Sequence, residues 1–176
     1  MLATATSADP VEAKPRVHTI SVYVSNKPGV LARIALVFAR RGYNIESLIV
    51  SPAARGGFSR TTISCTGDPD TLEQIIAQVR KLVDVVHATD STDRPTVETE
   101  IALVKVQTTP AQRSEMLTIG EHFSAKVVDF GASTIIFRVY GVSQKLDHFL
   151  TLLEPYGILE LVRTGPIAMV RGREVT

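Results

Sequence analysis

The order strand–helix–strand–strand–helix–strand is written twice along this chain, first from His18 and again from Ile101. A sheet or a helix of this kind has one apolar side and must bury it against the other, so each copy can close only as a small sandwich. That limits 176 residues to two units of roughly 80 residues each. In the first, His18 to Ser25 alternates, with Ile20, Val22 and Val24 on one side, as in a half-buried strand. Asn26-Lys27-Pro28-Gly29 is a turn by composition. Val30, Leu31, Ile34, Ala35 and Phe38 then recur at helical spacing up to Arg41, and Gly42 stands where helices stop. Ile45 to Val50 and Ser59 to Thr66 read as strands joined through Ala53 to Gly57, with Ile63 and Cys65 inward. Asp68-Pro69-Asp70 opens a second helix with an Asp70/Glu73 capping-box pattern and an apolar stripe from Leu72 to Leu82. Val85 to Ala88 closes the unit as a short strand.

Asp90 to Thr96 is polar and contains Pro95, the composition of a connector between domains. Beyond it the pattern returns: a strand over Ile101 to Val106, then a helix over Pro110 to Phe123 with Met116, Ile119 and Phe123 on one side. Lys126 to Phe130 and Thr134 to Tyr140 form two strands around Gly131-Ala132-Ser133. Ser143 to Tyr156 is a helix stopped by Gly157, Ile158 to Val162 a closing strand, and Pro166 to Val170 a short addition. The expected architecture is α+β, two ferredoxin-like βαββαβ sandwiches. Its expected bounds are a disordered leader over 1–16, a first domain over 17–91, a linker over 92–97 and a second domain over 98–176.

Composition narrows function mainly by exclusion. A formal net charge of +1 lacks the basic excess of a nucleic-acid binder or of a membrane-surface helix. No apolar run approaches the ~18 residues of a membrane span. The leader has neither an apolar signal core nor the acid-poor composition of a transit peptide. One cysteine, Cys65, permits no internal disulfide and suits a reducing compartment. On its strand it reads as a buried small hydrophobe rather than a nucleophile. His18, His87, His122 and His148 share no metal-ligand spacing and read as surface or strand-end residues. No nucleophile elbow, phosphate-binding loop or dinucleotide glycine pattern occurs. The chain has no self-contained reaction centre, and we expect no catalysis and no cofactor or metal of its own.

A ligand has one natural place. The first N–H groups of a helix lack partners inside it, and the helix dipole makes that end electropositive. The turn Asn26-Lys27-Pro28-Gly29 therefore offers a small carboxylate the N–H groups that follow it, approachable because Gly29 has no side chain. An ordinary strand-to-helix turn has the same composition, so both readings stand at this point. Asn44-Ile45 opens a strand that this topology places at a sheet edge, where a second copy can pair. The Asn44 amide oxygen can accept from an ammonium group. A carboxylate site on one subunit and an ammonium acceptor on its neighbour would together suit a free amino acid.

His18 to Val50, and above all Arg41-Gly42-Tyr43-Asn44-Ile45-Glu46-Ser47-Leu48, resembles the start of bacterial acetohydroxyacid (acetolactate) synthase small subunits. The similarity continues through SRTTI at Ser59, LEQI at Leu72, KLVDV at Lys81, IALVKV at Ile101 and RTGPIAMVRG at Arg163. The resemblance implies an N-terminal ACT domain, a C-terminal small-subunit domain and a homodimer formed through the ACT domains. It implies a regulatory protein that binds valine, leucine or isoleucine, activates a separate catalytic subunit and confers feedback inhibition on it, with valine the first candidate. Thiamine diphosphate, Mg²⁺ and FAD would belong to that partner. The implied effector residues are Asn26, Lys27, Pro28, Gly29, Val30 and Leu31 on one subunit, with Asn44 and Ile45 on the other. The implied location is the cytoplasm rather than a plastid. An ACT-type sensor serving another enzyme or transcription is the alternative, and transcription would demand a DNA-binding helix pair or a basic face.

Overall fold

The computed structural model describes residues 16–173. The leader expected over 1–16 lies outside the described residues except for Arg16. The first unit comprises β1 (Val17–Ser25), α1 (Val30–Arg40), β2 (Ile45–Pro52), β3 (Phe58–Thr66), α2 (Pro69–Val79) and β4 (Val85–Asp90). The second comprises β5 (Thr96–Gln107), α3 (Arg113–His122), β6 (Lys126–Phe130), β7 (Thr134–Gly141), α4 (Ser143–Leu153), β8 (Ile158–Arg163) and β9 (Ile167–Val170). Two antiparallel sheets result, ordered β2-β3-β1-β4 and β6-β7-β5-β8. The expected pair of βαββαβ sandwiches is what forms. Among the described residues no helix is long and apolar enough to cross a membrane.

The strand period of two explains both cores. In the first sheet Ile20 and Val22 lie beside Ile63 and Thr61 of β3, and Ile20, Val22 and Ile63 are buried under Ile34 and Phe38 of α1 and Ile75 of α2. In the second, Val104 and Val106 of β5 and Phe137 of β7 are buried with Met116 of α3 and Phe149 of α4. Cys65 is fully buried, and burial, reinforced by the charges of Asp90 and Glu46, pushes its thiol up to about 11. It is a packing residue without thiolate character at neutral pH.

Several expectations need correction. Leu31 is 41% exposed, because the buried stripe of α1 is Val30, Ile34, Val37 and Phe38 and Leu31 falls on its rim. The cap of α2 is Asp68, whose carboxylate accepts from the Thr71 N–H at 2.9 Å, in place of the Asp70/Glu73 box. That helix ends at Val79, short of Leu82, and α3 begins at Arg113 instead of Pro110. His18 lies near a strand end as expected but is only 2% exposed, on the helix-covered face opposite Cys65. β4 runs to Asp90 and β5 begins at Thr96, because the first third of β5 finds a partner in β9, Thr96 to Thr99 pairing with Val170 to Ile167.

Candidate ligand site

β1 delivers the chain to α1 through four exposed residues, Asn26 to Gly29. The turn is tied from three directions. Ser25 N–H donates to the Asp84 carbonyl at 2.8 Å, Asn26 N–H to the Gly57 carbonyl at 2.9 Å, and Lys27 N–H to the Ser25 carbonyl at 3.0 Å. Gly29 occupies the N-cap position at φ +82°, the left-handed region in which a Cβ is strained. Among the described residues no side chain caps the helix. Val30 N–H donates to the Lys27 carbonyl at 3.5 Å, and the N–H groups that follow it are available to a ligand, with the positive end of the dipole behind them.

Next to this turn lies a small depression of ≈ 110 Å³. Of the residues the sequence singles out, Asn26, Lys27, Val30 and Leu31 line it and Pro28, Gly29, Asn44 and Ile45 do not, while Val24, Ile34 and Val50 add apolar surface. A polar rim at a helix start beside an apolar wall matches a molecule with a carboxylate at one end and an aliphatic group at the other. Leu31, exposed on the rim of the α1 stripe, is part of this wall.

The charge of the site comes partly from residues the sequence reading missed. Asp84, nearly buried, pairs with the Arg33 guanidinium and lies 3.9 Å from the Lys27 ammonium. Two cations around one carboxylate leave a positive excess beside the helix N-terminus, which favours an anionic group there. Arg33 also borders Gly29, since a Cβ built on that glycine would meet Arg33 Nη1 at 3.4 Å. Arg33 stands one helical turn after Gly29 and could have been found from that spacing. Asp84, 51 positions from Arg33, has no such local signal.

Asn44 and Ile45 are elsewhere in this protomer. In β2, Ile45 sits opposite Cys65 while Val50, which lines the depression, sits opposite Thr61. Five residues of extended chain separate the two by roughly 16 Å. Asn44 is exposed, and its amide nitrogen donates to Glu46 Oε1 at 3.1 Å, which commits the nitrogen and leaves the oxygen as an acceptor. β2 is an edge strand, so one chain carries the two halves of the expected site at separate places.

Two family models match the chain. Residues 20–87 match one described as an AHAS small subunit-like ACT domain, and residues 99–172 one described as the small subunit of acetolactate synthase. The acetolactate synthase small subunit of Aquifex aeolicus is 46% identical over 157 residues, 89% of this chain and 82% of that protein. The corresponding protein of Mycobacterium bovis is 40% identical over 158 residues, 90% of this chain and 94% of its own. The crystal structure of the acetolactate synthase small subunit from Thermotoga maritima superposes with a TM-score of 0.81 at 38% identity, covering 90% of this chain and 99% of that one.

Proposed function

The chain belongs to the acetolactate synthase small-subunit family, and from that premise we propose that it is the regulatory subunit of an acetohydroxyacid synthase. It binds a branched-chain amino acid, valine first among valine, leucine and isoleucine, and conveys feedback inhibition to a catalytic partner that it also activates. Thiamine diphosphate, Mg²⁺ and FAD are that partner's, and the chemistry is done there. The observation that carries this reading is the uncapped start of α1. Free N–H groups and a cationic excess face a depression whose wall is aliphatic. The effector's carboxylate lies on the N–H groups after Gly29, and its side chain meets Val30, Leu31 and Val50. Asn44 and Ile45 of a second copy complete the site from across the β2 edge.

Reconstitution tests the role directly. The purified chain alone forms no acetolactate. Mixed with its catalytic subunit it raises the rate and makes that rate fall when valine is added. Acetolactate from this chain alone, or a reconstituted rate indifferent to all three branched-chain amino acids, would overturn the proposal.

Assembly carries its own expectation. β2 leaves Leu48 and Val50 exposed along an open strand edge, an arrangement that a second copy resolves by pairing edge to edge. Light scattering should find a dimer without effector. Leu48→Pro removes an N–H from this strand and bends it, so dimerisation and valine binding should weaken together. A monomeric chain with undiminished valine affinity would sink the shared site.

A further inference from the structure

A larger cavity, ≈ 610 Å³, lies between the two units on the side of the first sheet away from α1 and α2. Glu46, Glu98 and Glu100 line it, with Arg163 as the one basic residue among the described residues. Arg163 is committed, pairing with Glu100 and, through Nη1 at 2.6 Å, with Asp147. The cavity therefore has a negative excess carried by Glu46 and Glu98. In the floor, Ser64 is 2% exposed and its Oγ has no hydrogen-bond partner among the described residues. The buried Oγ of Ser47, its neighbour across the β2–β3 pairing, has none either. A buried hydroxyl without a partner is costly. Two side by side, facing one acidic cavity, point to a molecule that supplies polar groups.

We propose that this inter-domain cavity binds a small ammonium-bearing ligand, its charge held by Glu46 and Glu98 and its polar substituents by Ser47 and Ser64. The excess of carboxylates excludes an anion by repulsion. A directly ligated metal ion does not suit the place, because among the described residues no group of three or more His, Cys, Asp or Glu converges closely enough to hold one. The volume is in the range of small-molecule sites, and a domain boundary is where such sites gather. The site does not depend on the effector reading, but it touches it. Glu46 is the residue that accepts from Asn44, so a wall of this cavity is bonded to the proposed ammonium acceptor.

The test is calorimetric titration of the full chain with ethanolamine hydrochloride, with glycerol as the uncharged control at matched salt. Ethanolamine should bind saturably and glycerol should not. Glu98→Gln, a change at an exposed position, should weaken ethanolamine about tenfold, as expected for losing one charge-assisted contact. Ser64→Ala should also weaken it while leaving the unfolding midpoint of the ligand-free chain unchanged or raised, because it deletes an unpartnered hydroxyl. Four results would each overturn the site: no saturable binding, equal binding of glycerol, unaltered affinity in both variants, or a loss of ligand-free stability in Ser64→Ala. The last would mean that the hydroxyl already bonds an ordered water.

Discussion

Gly29→Asp should raise the valine concentration for half-inhibition of the reconstituted enzyme more than tenfold while the chain still stimulates its catalytic partner. Three effects act in the same direction. The new carboxylate stands at the start of α1, where the effector's own carboxylate is held, and two like charges ~4 Å apart repel by ~4 kcal/mol at an effective dielectric near 20. Half of that is already more than a tenfold loss. The side chain also grows toward Arg33, 3.4 Å from the added Cβ, and draws that guanidinium away from the site. Finally, a Cβ at φ +82° is strained, at ~1–2 kcal/mol, which shifts the N–H groups the ligand needs. Asn44→Ala removes the acceptor contributed by the other subunit and should cost ~1.5–3 kcal/mol of effector binding. Neither change touches Val30, Ile34 or Phe38 in the core, so fold and stimulation survive. A half-inhibiting concentration unchanged in Gly29→Asp would show that the effector does not bind at this turn.

Phe137→Ala should lower the stability of the C-terminal unit by about 3–5 kcal/mol, the range for emptying a large aromatic site in a closed core. Phe137 is fully buried in β7 and meets the Phe149 ring of α4 edge-on, with centroids 5.7 Å apart. From the other side it presses on Gly120 of α3, where a Cβ would come within 2.8 Å of its ring. Glycine in a helix is normally a weakness; here it lets α3 approach the sheet closely enough to seat this ring. The site cannot refill easily, because its walls are the backbone of α3 and rings already packed. Chemical denaturation should show the loss as a shifted midpoint for the second unit, with a smaller effect on the first, whose core is separate. A loss below ~1 kcal/mol would mean that the two helices close over the space.

The duplication, the alternation in β1 and β7, the α1 stripe and the turn at Asn26 to Gly29 were all legible in the residues. Each is a local property: side-chain period two or near four, a glycine where φ must be positive, an amide beside a strand start. The family could be read from the same local runs. Periodicity is less able to say where a stripe ends, since Leu31 shares the helical spacing of the buried residues and yet lies on the rim of the depression. What depended on distant parts of the chain came only from the tertiary structure. Asp84 reaches Arg33 and Lys27 because β4 returns beside β1, and Thr96 to Thr99 extend β5 because β9 comes back to pair with them. Ser64 and Glu98 share a cavity because two separately folded units meet. Short-range order is fixed by which side chains can share a face of one element. The charge of the proposed effector site and the existence of the second cavity are fixed by which elements the closed sheets bring together.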